Sequence, residues 1–346
     1  MKIYFDKVHI PDRIPRKYIS DWVKPLYAKP RHSLYGLEPN DLILANSPKD
    51  ADVFTLPLTW NYYLENDLSN EAESIIKSYK IWQKPIYTWN TGDFSLKIPE
   101  GNFKIFKQDC YESLLKINEI PYPVLIRDPL EYLQIKKINI MKKKDKPNVG
   151  FCGITESGLL KNQLRLGKQR IKQYLKMLYN PHLENIDLLT GLKLRNQTLA
   201  LFSESSDIDT IFITRAKSSA HKENIEFKLE FLKNIIDTNY TVCVRGSGNF
   251  STRFYETLAL GRIPILINTD CSLPLNKIIN WKDHCLLIEE HDLKNSAYLL
   301  NEYHNNLSEI DFETIQKKNR ELWLNKLTFN GFLKSLHAHE REDYCE

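Results

Sequence analysis

The stretch from Thr241 to Asn268 constrains the fold of this chain more than any other segment. An apolar run, Thr241–Val244, leads through a Gly/Ser loop at Arg245–Ser251 into an amphipathic segment over Thr252–Leu260. Gly261 closes that segment, and the chain resumes as a second apolar run, Ile263–Ile267, containing Pro264. Strand, loop, helix and strand in so short a space describe a βα unit, because parallel strands need a crossover element between them. The same alternation recurs along the chain. In the first half, Met1–Phe5, Ala51–Pro57 and Lys84–Trp89 read as strands, Phe103–Lys107 and Val124–Ile126 read as weaker ones, and Asp67–Trp82 reads as a helix. In the second half, Asn148–Gly153, Asp209–Thr214, Tyr240–Val244 and Cys285–Ile288 read as further strands. Helices are predicted there over Asn162–Leu178, Asn224–Ile236, Thr252–Leu260 and Phe312–Leu327. The fold class is therefore α/β, with two doubly wound, Rossmann-like domains.

Length supports the same division: 346 residues make about two domains at roughly 150 residues each. Six lysines crowd between Lys136 and Lys146, ahead of Pro147. That shift sets the expected boundaries at 1–146, 147–328 and a C-terminal tail, 329–346, packing back on the first domain. The lysine run reads as a solvated linker, with attraction to an anionic surface as the second reading. No apolar run approaches the ~18–20 residues of a spanning helix. Met1–Ile10 carries charge where a signal peptide is apolar. The expectation is a cytoplasmic protein with at most peripheral membrane contact. The balance of 48 Lys+Arg against 44 Asp+Glu, +4, lacks the concentrated basic face of a nucleic-acid partner. The six cysteines form no C-x-x-C pair and read as reduced, structural thiols. Asp207-Ile-Asp209 precedes a predicted strand, so it is not expected to hold a metal, and no cofactor or essential metal is expected.

The loop at 245–251 carries the chemistry. Gly246 and Gly248 are expected to adopt backbone angles closed to other residues and to bring main-chain N–H groups close to a ligand. The helix start adds unpaired N–H donors and a partial positive charge, an anion site in waiting. Ser247 lies within the loop, and Ser251 occupies the expected N-cap. Arg245 and Arg253 add full charge and paired donors suited to phosphate. Glu256 follows Arg253 at i+3, on the same helix face. A carboxylate there suits two ribose hydroxyls beside a diphosphate; equally, it could simply pair with Arg253.

Residues 241–268 resemble the exostosin-like glycosyltransferases. The motifs that carry the likeness are Arg245-Gly246, Ser251-Thr-Arg253-Phe-Tyr-Glu256 and Ala259-Leu-Gly261-Arg-Ile-Pro264. Asp50–Pro57, Asn148–Gly153 and Arg320-Glu-Leu-Trp-Leu324 are similar to other parts of that family, while Val244 and Arg262 depart from it. The resemblance implies a GT-B architecture, with the donor nucleotide in the C-terminal domain and the acceptor facing it across a cleft. It also implies inversion at the anomeric carbon, with a UDP-sugar as the commonest donor. A surface glycan or glycolipid is the expected acceptor, though no residue specifies it.

An inverting transfer needs a base on the acceptor side. Asp93, at the polar turn after the strand ending at Trp89, is the expected base, because α/β clefts form at the carboxyl ends of strands. His221 and Glu223 are alternative substrate contacts. Trp60, Tyr62 and Tyr63 are either a sugar-stacking platform or core. Two other readings stay open: a fucosyltransferase-like enzyme using a GDP-sugar, and a non-catalytic protein that binds nucleotide or carbohydrate.

Overall fold

A computed structural model describes residues 1–11, 13–27, 36–38, 40–155, 171, 175, 178, 181–184, 191–215 and 225–343. The predicted helix over Asn162–Leu178 lies almost wholly outside these residues.

Eleven strands among the described residues form two sheets. The first comprises β1 (Lys2–Tyr4), β2 (Ile43–Leu44), β3 (Val53–Thr55), β4 (Ile86–Asn90), β5 (Lys104–Lys107) and β6 (Glu119–Pro121), in the order β2-β1-β3-β4-β5-β6. The second comprises β7 (Asn148–Ile154), β8 (Asp209–Arg215), β9 (Tyr240–Cys243), β10 (Ile263–Asn268) and β11 (Leu286–Glu289), in the order β11-β10-β9-β7-β8. Every pairing within both sheets is parallel. These are two Rossmann-like units. The central strands β3, β4 and β9 are buried along their whole length. Strands covered on both faces read as continuous apolar runs, without alternation, which is why the sequence revealed them.

The helices used below are α1 (Ser69–Tyr79), α2 (Gly191–Ser203), α3 (Ile225–Ile236), α4 (Thr252–Ala259), α5 (Ser296–Asn306), α6 (Glu309–Leu322) and α7 (Phe329–Asp343). Two predicted elements need correction. The strand expected at Val124–Ile126 lies earlier, at Glu119–Pro121, where it pairs with β5. The single helix expected over Phe312–Leu327 ends at Leu322 and continues as a π-helical turn, Trp323–Leu327, before α7 begins.

That turn carries the chain from the second sheet back to the first. Trp22 lies 5.2 Å from both Tyr87 and Trp89, centroid to centroid, and 5.6 Å from Phe329 of α7. Phe332 lies 5.2 Å from Tyr122. Each aromatic so buried stabilises by about 1.5–3 kcal/mol. The same core runs on into Phe254, Leu258 and Leu266 of the second half, so the two units share apolar packing. Trp60 and Tyr63 are core residues too, 0% and 1% exposed, which removes them from any sugar platform.

Candidate functional site

In the second sheet the chain leaves β7 for β8 on one side, then returns to β9 on the other. The crevice of a doubly wound sheet opens at the carboxyl ends of such a pair of strands. Here those ends carry Gly153, near the end of β7, and Arg245, just after β9. A cleft of 330 Å³ lies there, and Asp93, Arg195, Arg253 and Glu256 are among its lining residues. Asp93 comes from the first half and the others from the second, so one cleft unites them.

Two guanidinium groups, those of Arg195 and Arg253, line it, and Arg245 lies on the adjoining loop. Arg253, in the first turn of α4, donates from Nη2 to the Cys152 carbonyl at 2.7 Å and from Nη1 to the Val242 carbonyl at 3.4 Å. Its guanidinium stands 4.2 Å from the Phe151 ring centroid and 5.4 Å from that of Phe231. Gly153 makes this possible, since a Cβ there would sit 2.7 Å from Arg253 Nη2. Arg245 is 3% exposed, donates to the Ser247 carbonyl at 3.3 Å and lies 5.5 Å from the Tyr111 ring. Arg195, on α2, donates to the Ile154 carbonyl at 2.8 Å and faces Phe151 from 5.6 Å. Burial lowers the Arg195 pKa to about 10, with the Arg253 charge adding to the shift, and burial lowers that of Arg253 as well.

The Nε atoms of Arg195, Arg245 and Arg253 are all buried without a hydrogen-bond partner. A buried donor left unmade costs about 1–3 kcal/mol, more when charged. None of the three pairs with a carboxylate within 4.0 Å among the described residues. Two cations, Arg195 and Arg253, therefore line one cleft with unused donors, with Arg245 on the adjoining loop, and an anion bearing several oxygens is what such a group can hold.

Glu256, one turn along α4, is 5% exposed. It does not pair with Arg253; Lys228 of α3 contacts its Oε1 instead. Burial raises the Glu256 pKa, while the Lys228 ammonium, then Arg253, oppose the shift. Lys228 itself stands 5.1 Å from the Phe231 ring.

The loop residues depart from expectation in their backbone. Neither Gly246 nor Gly248 has a positive φ. A Cβ on Gly246 would meet open space, and its N–H is already bonded to the Phe250 carbonyl at 3.2 Å. Gly248 matters for a different reason: a Cβ would lie 2.6 Å from the Phe250 ring and 3.1 Å from the Asp93 Cα. It is one of the points at which the two halves touch. Ser247 is exposed at the mouth. Ser251 holds the N-cap position, yet its side chain makes no capping bond, so the first-turn N–H groups of α4 carry no side-chain cap.

Asp93 is exposed in a turn built by two asparagines. Asn61 brackets Thr91, accepting from its N–H and donating to its carbonyl, both at 2.9 Å. Asn90 accepts from the Leu96 N–H at 3.0 Å, and Gly92 turns the chain at φ 96°. The opposing loop is anchored just as firmly. Asp109, beyond β5, accepts from the Asn249 N–H at 2.5 Å and the Ser95 N–H at 2.9 Å. The Asn249 amide donates to the carbonyls of Cys110, Thr269 and Asp270. Burial raises the Asp109 pKa, opposed by these donors and by Arg245.

His221 and Glu223 lie outside the described residues. Sequence reasoning missed Arg195, Lys228, Asp109 and Asn249, none of which has a local motif to announce it. Asp207 and Asp209 lie at the start of β8, the sheet end opposite the cleft. Among the described residues no three His, Cys, Asp or Glu side chains cluster as a metal site, and the five described cysteines are unbridged. No described helix is long and apolar enough to cross a membrane.

No protein-family model matches the chain, and no curated protein is similar enough in sequence to match it. Solved structures that superpose on it include TarM, at 12% identity and a TM-score of 0.38, covering 88% of this chain and 57% of that one. The spinosyn rhamnosyltransferase SpnG superposes at 10% identity and a TM-score of 0.34, covering 80% and 81% of the two chains. A glycosyltransferase from Rickettsia africae ESF-5 does so at 13% and 0.34, covering 87% and 84%. The chain spans little more than half the length of TarM. These are likenesses at low TM-score, and they carry no argument about the reaction.

Proposed function

We propose that this chain is an inverting glycosyltransferase that takes a nucleoside-diphosphate sugar into the cleft and passes the sugar to a glycan or glycolipid acceptor. The observation that carries the reading is the pair of guanidiniums in the cleft, Arg195 and Arg253, with unpartnered Nε atoms beside a buried carboxylate, and Arg245 on the adjoining loop. A diphosphate supplies the acceptors those donors lack. Glu256, paired with Lys228, accepts hydrogen bonds from the adjoining ribose hydroxyls. The exostosin-like resemblance of residues 241–268 favours UDP as the nucleotide and surface polysaccharide as the product, made on the cytoplasmic side.

In the reaction, the Asp93 carboxylate takes the proton of the acceptor hydroxyl as its oxygen attacks the anomeric carbon from the face opposite the diphosphate. The bond to the diphosphate oxygen breaks, and its electron pair leaves with the nucleotide. Charge growing on that oxygen meets the arginines and the uncapped start of α4, in a site that is already organised. This arrangement supplies the neutralisation for which a divalent metal would otherwise serve, so activity is expected to survive chelation.

Calorimetric titration of the full chain with UDP, GDP and ADP tests the donor, followed by a screen of nucleotide sugars for donor hydrolysis. UDP binding with no GDP response supports the reading. GDP preference redirects it to a fucosyltransferase-like enzyme, and binding without any hydrolysis or transfer redirects it to a non-catalytic protein. Asp93→Asn is expected to lower turnover about hundredfold with nucleotide affinity unchanged; normal turnover removes Asp93 as the base.

A further inference from the structure

The amino ends of β4, β5 and β6 face away from the cleft, and they surround a second, larger cavity of 620 Å³. Lys80, Lys84, Lys104 and Asn102 line it, with Phe103 at its floor and Ile117 at its lip. Lys84 is held in place by the carbonyl oxygens of Lys49 and Ala51, a pair of contacts that fixes the ammonium without cancelling its charge. Lys80, at the end of α1, is exposed and has no ion pair among the described residues. Among the described residues no acid lines the cavity. Asp52 and Asp50, on either side of Ala51, keep their charge while accepting from neutral donors, the Lys2 N–H at 2.6 Å and the Ser47 hydroxyl at 2.7 Å. Glu100, beside the lining Gly101, is the exposed acid nearest in sequence.

The rim of this basic cavity is apolar. Ile81 is 77% exposed, Trp82 36% and Ile117 fully exposed, and all three lie within one residue of a lining position or are one themselves. Trp82 is the exception among six tryptophans, since the other five are at most 6% exposed. A soluble anion would need the lysines but gains nothing from the rim. An anionic bilayer uses both, because aromatic and branched side chains enter the headgroup boundary while ammonium groups meet lipid phosphates.

We infer that this end of the first sheet docks on an anionic phospholipid surface, with Ile81, Trp82 and Ile117 inserted and the lysine-lined cavity over the headgroups. The inference is independent of the donor reading. Strands of four or five residues, at ~3.3 Å each, separate the docking end from the cleft by about 15 Å. Docking therefore leaves the cleft mouth open on the side away from the bilayer.

The test uses the full chain without nucleotide, and vesicles of phosphatidylcholine alone or with about one-third phosphatidylglycerol. Co-sedimentation is expected to be at least tenfold tighter on the anionic vesicles. Brominated phosphatidylcholine mixed into them should quench the Trp82 emission, a signal lost in Trp82→Phe. Lys80→Glu and Ile117→Asp change exposed side chains, so both variants should fold with unaltered thermal midpoints and each bind about tenfold more weakly, given roughly fivefold per basic group near an anionic surface. Equal binding to both vesicles overturns the proposal. So does unaltered binding by Ile117→Asp. Complete competition by millimolar glycerol phosphate, with Trp82 unquenched, would assign the cavity to a small anion instead.

Discussion

An arginine packs at each end of α4, and the surroundings treat the two in opposite ways. Arg262, just past the C-terminal end, is 1% exposed and spends every nitrogen on an acceptor. Its Nε and Nη2 donate to the Ile236 carbonyl at 3.1 and 2.8 Å, and Nη1 reaches the Asn139 carbonyl at 3.0 Å and Gln316 Oε1 at 3.3 Å. Gln316 also bonds both the N–H and the carbonyl of Met141, so the linker between the halves is stitched to α6 through this side chain. Arg253, in the first turn, is packed as tightly against Phe151 but keeps its Nε unpaired. One arginine completes a structure; the other is left incomplete, as a binding group must be. The departure of Arg262 from the exostosin-like pattern is thereby explained as a structural device for this chain's own linker.

This contrast can be broken by substitution. The largest effect is expected at Arg253: Arg253→Ala should lower transfer by about 10²–10³-fold, as removal of a preorganised donor does, while moving the thermal midpoint little. A large fall in stability without loss of nucleotide binding would make Arg253 another Arg262. Next comes Arg262→Met, expected to destabilise by about 2–4 kcal/mol through stranded carbonyls and a loosened linker. Denaturant unfolding measures it, and the nucleotide affinity of the remaining folded protein should be unchanged. Glu256→Ala should weaken nucleotide binding at least about tenfold, roughly 1.4 kcal/mol by titration calorimetry; unchanged affinity would remove the ribose contact. The smallest effect belongs to Gly246→Ala, within about 0.5 kcal/mol of wild type in stability, because its Cβ enters open space.

Much of this site was legible because it is local. Arg245, Arg253 and Glu256 follow from the spacing of one strand, loop and helix, and Asp93 from a turn after an apolar run. What the sequence could not reveal lies at long range. Arg195 sits on α2, whose apolar residues do not form one clear stripe, so neither the helix nor its arginine stood out. Lys228 meets Glu256 only because α3 packs beside α4. The glycines were legible for the wrong reason: the loop needs Gly248 for closeness to Asp93, a residue 155 positions earlier, rather than for unusual angles.

The order of apolar runs and crossovers by itself determined that this chain forms parallel sheets, since burial on both faces and the need for crossovers are local demands. It also determined that one loop would offer cations at a helix start. Tertiary structure alone decided that those cations would pair with no carboxylate among the described residues, that Arg195 of α2 would join Arg253 in the cleft, and that Asn249 and Asp109 would clamp the loop against the opposite half. Pairing and burial of charge depend on which surfaces meet in space, and no spacing along a chain encodes that directly.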